Sequence, residues 1–208
     1  MKSVNPMKAL VLATVAGGLA IAAINLGGGL LQSRPAAAAG IDRIAVTSPL
    51  VGKPAPDLVL TDVSGMRVTL QNLRGEQNRP VVLFMSAGGG CETCLAQIEK
   101  MIKSSVLTDG SVMAAAVLSA HSDSIDAWRN LVRDHPEFRK IAILFDKSGD
   151  AIRDYGATAL QSGMNHGGGH MPGHSYYVID RSGVVRLVAN DPMMGDWTTA
   201  LEKFVKGL

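Results

Sequence analysis

Cysteine, aromatic side chains and net charge are all scarce in this chain of 208 residues. Two cysteines cannot build the disulfide framework of a small secreted domain. They stand together in Cys91-Glu92-Thr93-Cys94, where they can form a redox pair or half of a metal site. Aromatic residues make up 4% of the chain and the formal net charge is +2, with no basic stripe, so a nucleic-acid partner is not expected. Acidic residues are missing altogether from positions 1–40, which carry Lys2, Lys8 and Arg34. The mild basicity therefore belongs to that segment, and the rest is near neutral. Phosphate-binding glycine loops, G-x-S-x-G and H-E-x-x-H are absent too, which removes the chemistries those motifs serve. What is plentiful is apolar: 47% of residues, enough for an ordinary core and incompatible with intrinsic disorder. The length suits one globular domain with an appendage.

That appendage is residues 1–40. Ala9 to Leu31 holds no charge, and as a helix it would span roughly 35 Å against about 30 Å of bilayer hydrocarbon. Arg34-Pro35 and the alanines that follow resemble a small-residue cleavage site. The length of the run favours a retained signal anchor, and the alanines favour a cleaved signal peptide. With no cysteine nearby, a lipoprotein anchor is excluded. Both readings expect the rest of the chain outside the cytoplasm, because the positive end stays inside. A single bacterial-type membrane span with a periplasmic domain follows, or secretion if the signal is cleaved.

Residues 41–50 read as a linker and 51–208 as the domain. Leu58–Thr61 and Arg67–Leu70, split by Asp62-Val63-Ser64-Gly65, read as a hairpin, followed by a polar loop through Gly75 and Pro80. Four unbroken apolar runs come next, Val81–Met85, Val112–Leu118, Ile141–Phe145 and Tyr176–Ile179. Runs without alternation suit strands buried on both faces. Cys91–Val106 places Leu95, Ile98, Ile102 and Val106 at helical spacing. A second helix runs from Ser122 or Asp123 to about Asp134, a short one covers Asp150–Tyr155, a last strand Val184–Val188, and a final helix about Asp196–Lys206. Trp128 and Trp197 fall on helices as packing residues, and His121 and His135 read as structural. The order implies an α/β sandwich with a mixed sheet. Ala157–His174 shows no periodicity, and loops of that length usually serve function or are disordered.

Cys91 follows a strand and a glycine loop and opens a helix. Unpaired N–H groups and the partial positive charge there stabilise a thiolate, although Glu92 tempers the effect. Two intervening residues let both sulfurs lie on the first turn, with Cys91 the attacking thiol and Cys94 the resolving one.

Val51-Gly52-Lys53-Pro54-Ala55-Pro56-Asp57-Leu58, then Leu73-Arg74-Gly75, the Cys-x-x-Cys and the late Tyr177-Val178-Ile179-Asp180-Arg181-Ser182-Gly183 resemble the redoxin branch of thioredoxin-like proteins. That branch includes the alkyl hydroperoxide reductase/thiol-specific antioxidant group and membrane-anchored TlpA- or ResA-like reductases. The resemblance covers about 50–208. It implies a three-layer α/β/α sandwich with a mixed central sheet, catalytic Cys91 and Cys94, no required cofactor, a protein disulfide or peroxide as substrate, and a thiol electron donor. Three departures stand out. The peroxide-pocket proline and hydroxyl of peroxiredoxins are replaced by Phe84 and Gly88. Trp-Cys-Pro-Pro-Cys is replaced by Gly-Cys-Glu-Thr-Cys. The place of the family's cis-proline is held by His174, with Pro172 two residues earlier.

Met164 to His174 gathers His166, His170 and His174 with Met164 and Met171. Its glycines forbid a stable helix, but a loop can wrap imidazoles and thioethers around a soft cation. With Cys91 and Cys94 the set favours Cu(I), or Zn(II) in a tetrahedral Cys2His2 site. Copper-delivering Sco-like proteins, also anchored thioredoxin folds, pair two cysteines with a histidine before the corresponding strand. Their Cys-x-x-x-Cys differs from the spacing here. A gating loop that binds nothing is the alternative.

Overall fold

The computed structural model describes residues 45–86, 92–119, 122–157, 174–190 and 198–208. All of them fall in one compact unit, Ala36–Leu208. Seven strands form one sheet: β1 Val59–Asp62, β2 Arg67–Thr69, β3 Val81–Ser86, β4 Met113–Ser119, β5 Ala142–Asp146, β6 Ser175–Ile179 and β7 Val185–Asn190. Their order is β2-β1-β5-β4-β3-β6-β7. The centre, β5-β4-β3, is parallel, while β1 joins β5 and β6 joins β3 antiparallel. The expected mixed sheet is present, with the apolar runs at its centre. All six residues of β3 are buried, which is why their sequence shows no alternation.

Strand parity divides the core in two. Val82, Phe84, Ala116, Phe145, Tyr176 and Val178 face one way. They pack against α2 Glu92–Lys103, α4 Ser122–Asp134 and α6 Thr198–Lys206. Leu83, Met85, Val117, Leu144 and Tyr177 face the other way. They meet α1 Leu70–Arg74 and α5 Asp150–Asp154 through Leu70, Leu73, Ala151 and Ile152. These are the three layers of the thioredoxin-like sandwich. Trp128 is in the core as expected; Trp197 and His121 lie outside the described residues.

Two local elements differ from the expectation. Leu70 is not the end of a strand but the first residue of α1. Thr69 and Asn72 cap one another there, the Thr69 hydroxyl accepting from the Asn72 N–H and Asn72 Oδ1 accepting from the Thr69 N–H, a reciprocal box that starts a helix. The helix expected over Cys91–Val106 is broken at Ser104. Ser104 is extended (φ −72°, ψ 117°), accepts from the Leu107 N–H and so opens a separate helix, α3, Ser105–Thr108. Its hydroxyl also donates to Glu202 Oε1 at 2.5 Å, tying α3 to α6.

The hairpin turn is made as expected. Asp62 Oδ1 accepts from the Ser64 and Met66 N–H groups, and Gly65 takes φ 91°, which a side chain would resist. A 3-10 turn, Pro136–Lys140, follows α4 where the sequence suggested only a stop. Of the expected linker 41–50, residues 45–50 are described. Val46 N–H bonds Val188 O and Gly52 N–H bonds Val185 O, so this stretch lies along β7 and covers part of an otherwise open edge. Among the described residues no helix is long and apolar enough to cross a membrane; Ala9–Leu31 lies outside them.

Candidate active site

The site lies where β3 ends and β6 begins. Val81 pairs with Ile179 and Met85 with Ser175. One rung further, the same register sets Ser86 opposite His174. Opposed residues of an antiparallel pair point to one face. Here it is the face of Phe84 and Tyr176, covered by α2. Cys94, on the first turn of α2, is carried onto that face and is 1% exposed.

Three groups meet at its sulfur. Ser86 Oγ–H donates to Cys94 Sγ at 2.7 Å. His174 Nε2 lies 3.2 Å from Cys94 Sγ. Phe84 supports the imidazole from below, ring centroids 5.9 Å apart and 16° from parallel, and Tyr176 stacks on Phe84 at 5.0 Å. Cys94 is disulfide-bonded. Gln97, one turn along α2, is 1% exposed, and neither its amide oxygen nor its nitrogen has a hydrogen-bond partner.

Of the residues singled out from sequence, the structure brings Cys94 and His174 together. Cys91, His166 and His170 lie outside the described residues. Among the described residues no three His, Cys, Asp or Glu are grouped to hold a metal; Cys94 and His174 could supply one sulfur and one nitrogen donor. In the sequence Ser86 reads only as the polar end of an apolar run. Its place at the site comes from strand parity with Phe84 and the pairing register to His174, which the folded sheet supplies.

Tyrosines buried on the opposite face of the sheet are not part of this constellation. Tyr155 Oη–H donates to Pro56 O at 2.8 Å and Tyr177 Oη–H to Tyr155 O at 3.0 Å. Burial pushes the Tyr177 phenol up to about 12, and that of Tyr155 further still, with the Asp57 charge adding to the second. Both stay neutral donors at any ordinary pH.

The thioredoxin-like sandwich carries a buried cysteine on the first turn of the helix that follows β3, as a redoxin does. The pattern of the AhpC/TSA family matches residues 51–188, and the chain belongs to that family. It is thereby an oxidoreductase of the thiol-dependent peroxidase and thiol oxidoreductase class. No curated protein matches the sequence. Among solved structures it is similar to peroxidoxin BcpB of Mycobacterium tuberculosis, at 18% identity and TM-score 0.57, over 74% of this chain and 94% of that one. It also resembles a secreted Mycobacterium tuberculosis disulfide oxidoreductase homologous to E. coli DsbE, at 16% identity and TM-score 0.52, over 73% and 96%. A yeast mitochondrial 1-Cys peroxiredoxin, whose thiol is resolved through glutathione/thioredoxin systems, aligns at 18% identity and TM-score 0.60, over 75% and 74%. At these identities the likeness concerns the fold.

Proposed function

We propose that this chain is an extracytoplasmic thiol-disulfide oxidoreductase working through a Cys91–Cys94 redox pair, with reduction of protein disulfides as its first activity and of peroxides as its second. The observation that carries the reading is the Cys94 sulfur, disulfide-bonded, buried, and contacted by Ser86 and His174.

The Cys91 thiolate attacks one sulfur of a partner disulfide, forming a mixed disulfide and expelling the partner's other sulfur as a thiolate. Cys94 then attacks the Cys91 sulfur, releasing the second partner thiol and leaving the Cys91–Cys94 disulfide. A thiol donor of the thioredoxin or glutathione type restores the pair. Against a hydroperoxide, attack on the O–O bond gives Cys91 sulfenic acid and an alcohol or water. Condensation with Cys94 then releases water and forms the same disulfide.

Phe84 supports placing disulfides ahead of peroxides. Counted back from Cys91 along the peroxiredoxin motif it falls at the place of the loop proline, yet it is a buried strand residue stacked on His174 and Tyr176. A loop that shapes a peroxide pocket at that point is therefore not supported. The extracytoplasmic side is proposed from the charge-free Ala9–Leu31 behind Lys2 and Lys8, as a retained single span or a cleaved signal. The test is catalysed reduction of insulin disulfides by dithiothreitol. Wild-type acceleration that is lost in Cys91→Ser supports the reading; a wild type no faster than dithiothreitol alone overturns it.

The 3.2 Å approach of His174 Nε2 to Cys94 Sγ favours one second reading, a Sco-like copper-binding chaperone. Cys91, Cys94 and His174 would then hold Cu(I) as cargo, with His166 and His170 on the same loop. A soft thiolate–imidazole set suits that ion. Cu(I) competition titration of the reduced chain separates the two.

A further inference from the structure

We infer that Ser86 is a positioning residue that sets the reduction potential of the Cys94 disulfide, its hydroxyl stabilising the sulfur once reduced. The inference rests on the redox pair proposed above and adds to it a residue outside the Cys-x-x-Cys motif. Ser86 is 1% exposed at the last position of β3, and its Oγ–H is aimed at Cys94 Sγ at 2.7 Å. The aim is fixed by the fold. Strand parity turns Ser86 to the α2 face along with Phe84, and the antiparallel register with β6 brings His174, the residue before that strand, to the same sulfur.

A disulfide sulfur is a weak acceptor. Reduction leaves a thiol or thiolate with more negative charge, and hydrogen bonds to charged acceptors are roughly twice as strong as neutral ones. Buried at both ends, this bond is not replaced by water when it weakens. A donor that binds the reduced form better than the oxidised form shifts the equilibrium toward the dithiol and makes the pair a stronger oxidant, as stabilisation of the reduced state does in other Cys-x-x-Cys oxidants.

The equilibrium is read in glutathione. Two glutathione thiols give up two electrons to become one glutathione disulfide. Their two protons pass to the sulfurs of Cys91 and Cys94, whose S–S bond breaks. The full chain is brought to equilibrium across a series of glutathione ratios, quenched with acid and alkylated. The reduced fraction is counted by mass spectrometry, with circular dichroism to follow folding. Ser86→Ala is expected to favour the disulfide about tenfold, a potential lower by about 30 mV, while Ser86→Thr, which keeps the hydroxyl, stays within about twofold of wild type. Equal potentials for wild type and Ser86→Ala overturn the inference, and so does an equal shift in both variants, which would mean packing and not the donor. These results leave the redox reading standing. A wild type that forms no disulfide at any ratio overturns both.

Discussion

Ser86, at the end of β3, and His174, just before β6, stand opposite one another in the β3–β6 register and approach the sulfur of Cys94 at 2.7 and 3.2 Å. Neither belongs to the Cys-x-x-Cys motif, and they are 88 positions apart in sequence. An antiparallel register is what brings them together. The chemistry proposed for the cysteines is thus set in part by the edge of the sheet beneath them.

Cys94→Ser is expected to stop turnover at the mixed disulfide. Without a resolving thiol, Cys91 stays linked to its partner, so a covalent adduct sensitive to reductant accumulates on non-reducing gels. Multiple turnovers of insulin reduction fall to background. Continued turnover in that variant would contradict the role given to Cys94.

His174→Ala separates the two readings of the site. As an oxidoreductase, the chain loses at most one contact to sulfur and slows by no more than about tenfold, the worth of one hydrogen bond. As a copper carrier, it loses a ligand, and Cu(I) affinity falls by more than about a hundredfold. Competition titration and the insulin assay on one preparation give both numbers.

Phe84→Ala removes a fully buried ring that stacks on His174 and on Tyr176. The lost burial and the cavity it leaves are expected to cost about 3–5 kcal/mol. A shifted midpoint in urea unfolding at unchanged slope reads this directly. A loss under about 1 kcal/mol would show that the surrounding core collapses to fill the space.

Acid stability depends in part on Asp180. Burial by itself raises this carboxyl, but the Ser182 hydroxyl, the Val184 N–H and Arg186 together outweigh it and hold the pKa at about 2 against an ordinary 3.8. A folded-state pKa below the unfolded one means stability that is complete above the unfolded value and is lost as pH falls toward the folded one. Asp180 therefore contributes about 2 kcal/mol above roughly pH 4, fading toward pH 2. Asp180→Asn should lower stability at neutral pH by about that amount and flatten the acid limb of the unfolding curve. An unchanged limb would assign the acid response to other carboxylates.

The sheet was legible because its central strands are buried on both faces and so spell unbroken apolar runs. The helices were legible from their stripes, though one stripe concealed a break. Ile98, Ile102 and Val106 keep helical spacing across Ser104, and periodicity cannot see that a serine there turns extended to cap the next helix. Thr69 and Asn72 hid α1 in the same way, since a five-residue helix leaves no periodic trace and its start lies in two polar side chains. Within the site, Cys94 and His174 could be named from a motif and from a position before a strand. Ser86 could not, because its role depends on pairing register, which only the folded sheet fixes.

The most direct test of the central claim follows both thiols of the full-length reduced chain by mass spectrometry after mixing with a protein disulfide, and in parallel with hydrogen peroxide. The account predicts that Cys91 and Cys94 disappear together into one intramolecular disulfide, faster than a free thiol reacts at the same pH, with the protein disulfide the faster oxidant. Thiols that persist at the pace of free cysteine, or a Cys94 that stays open to alkylation while Cys91 is oxidised, would contradict it.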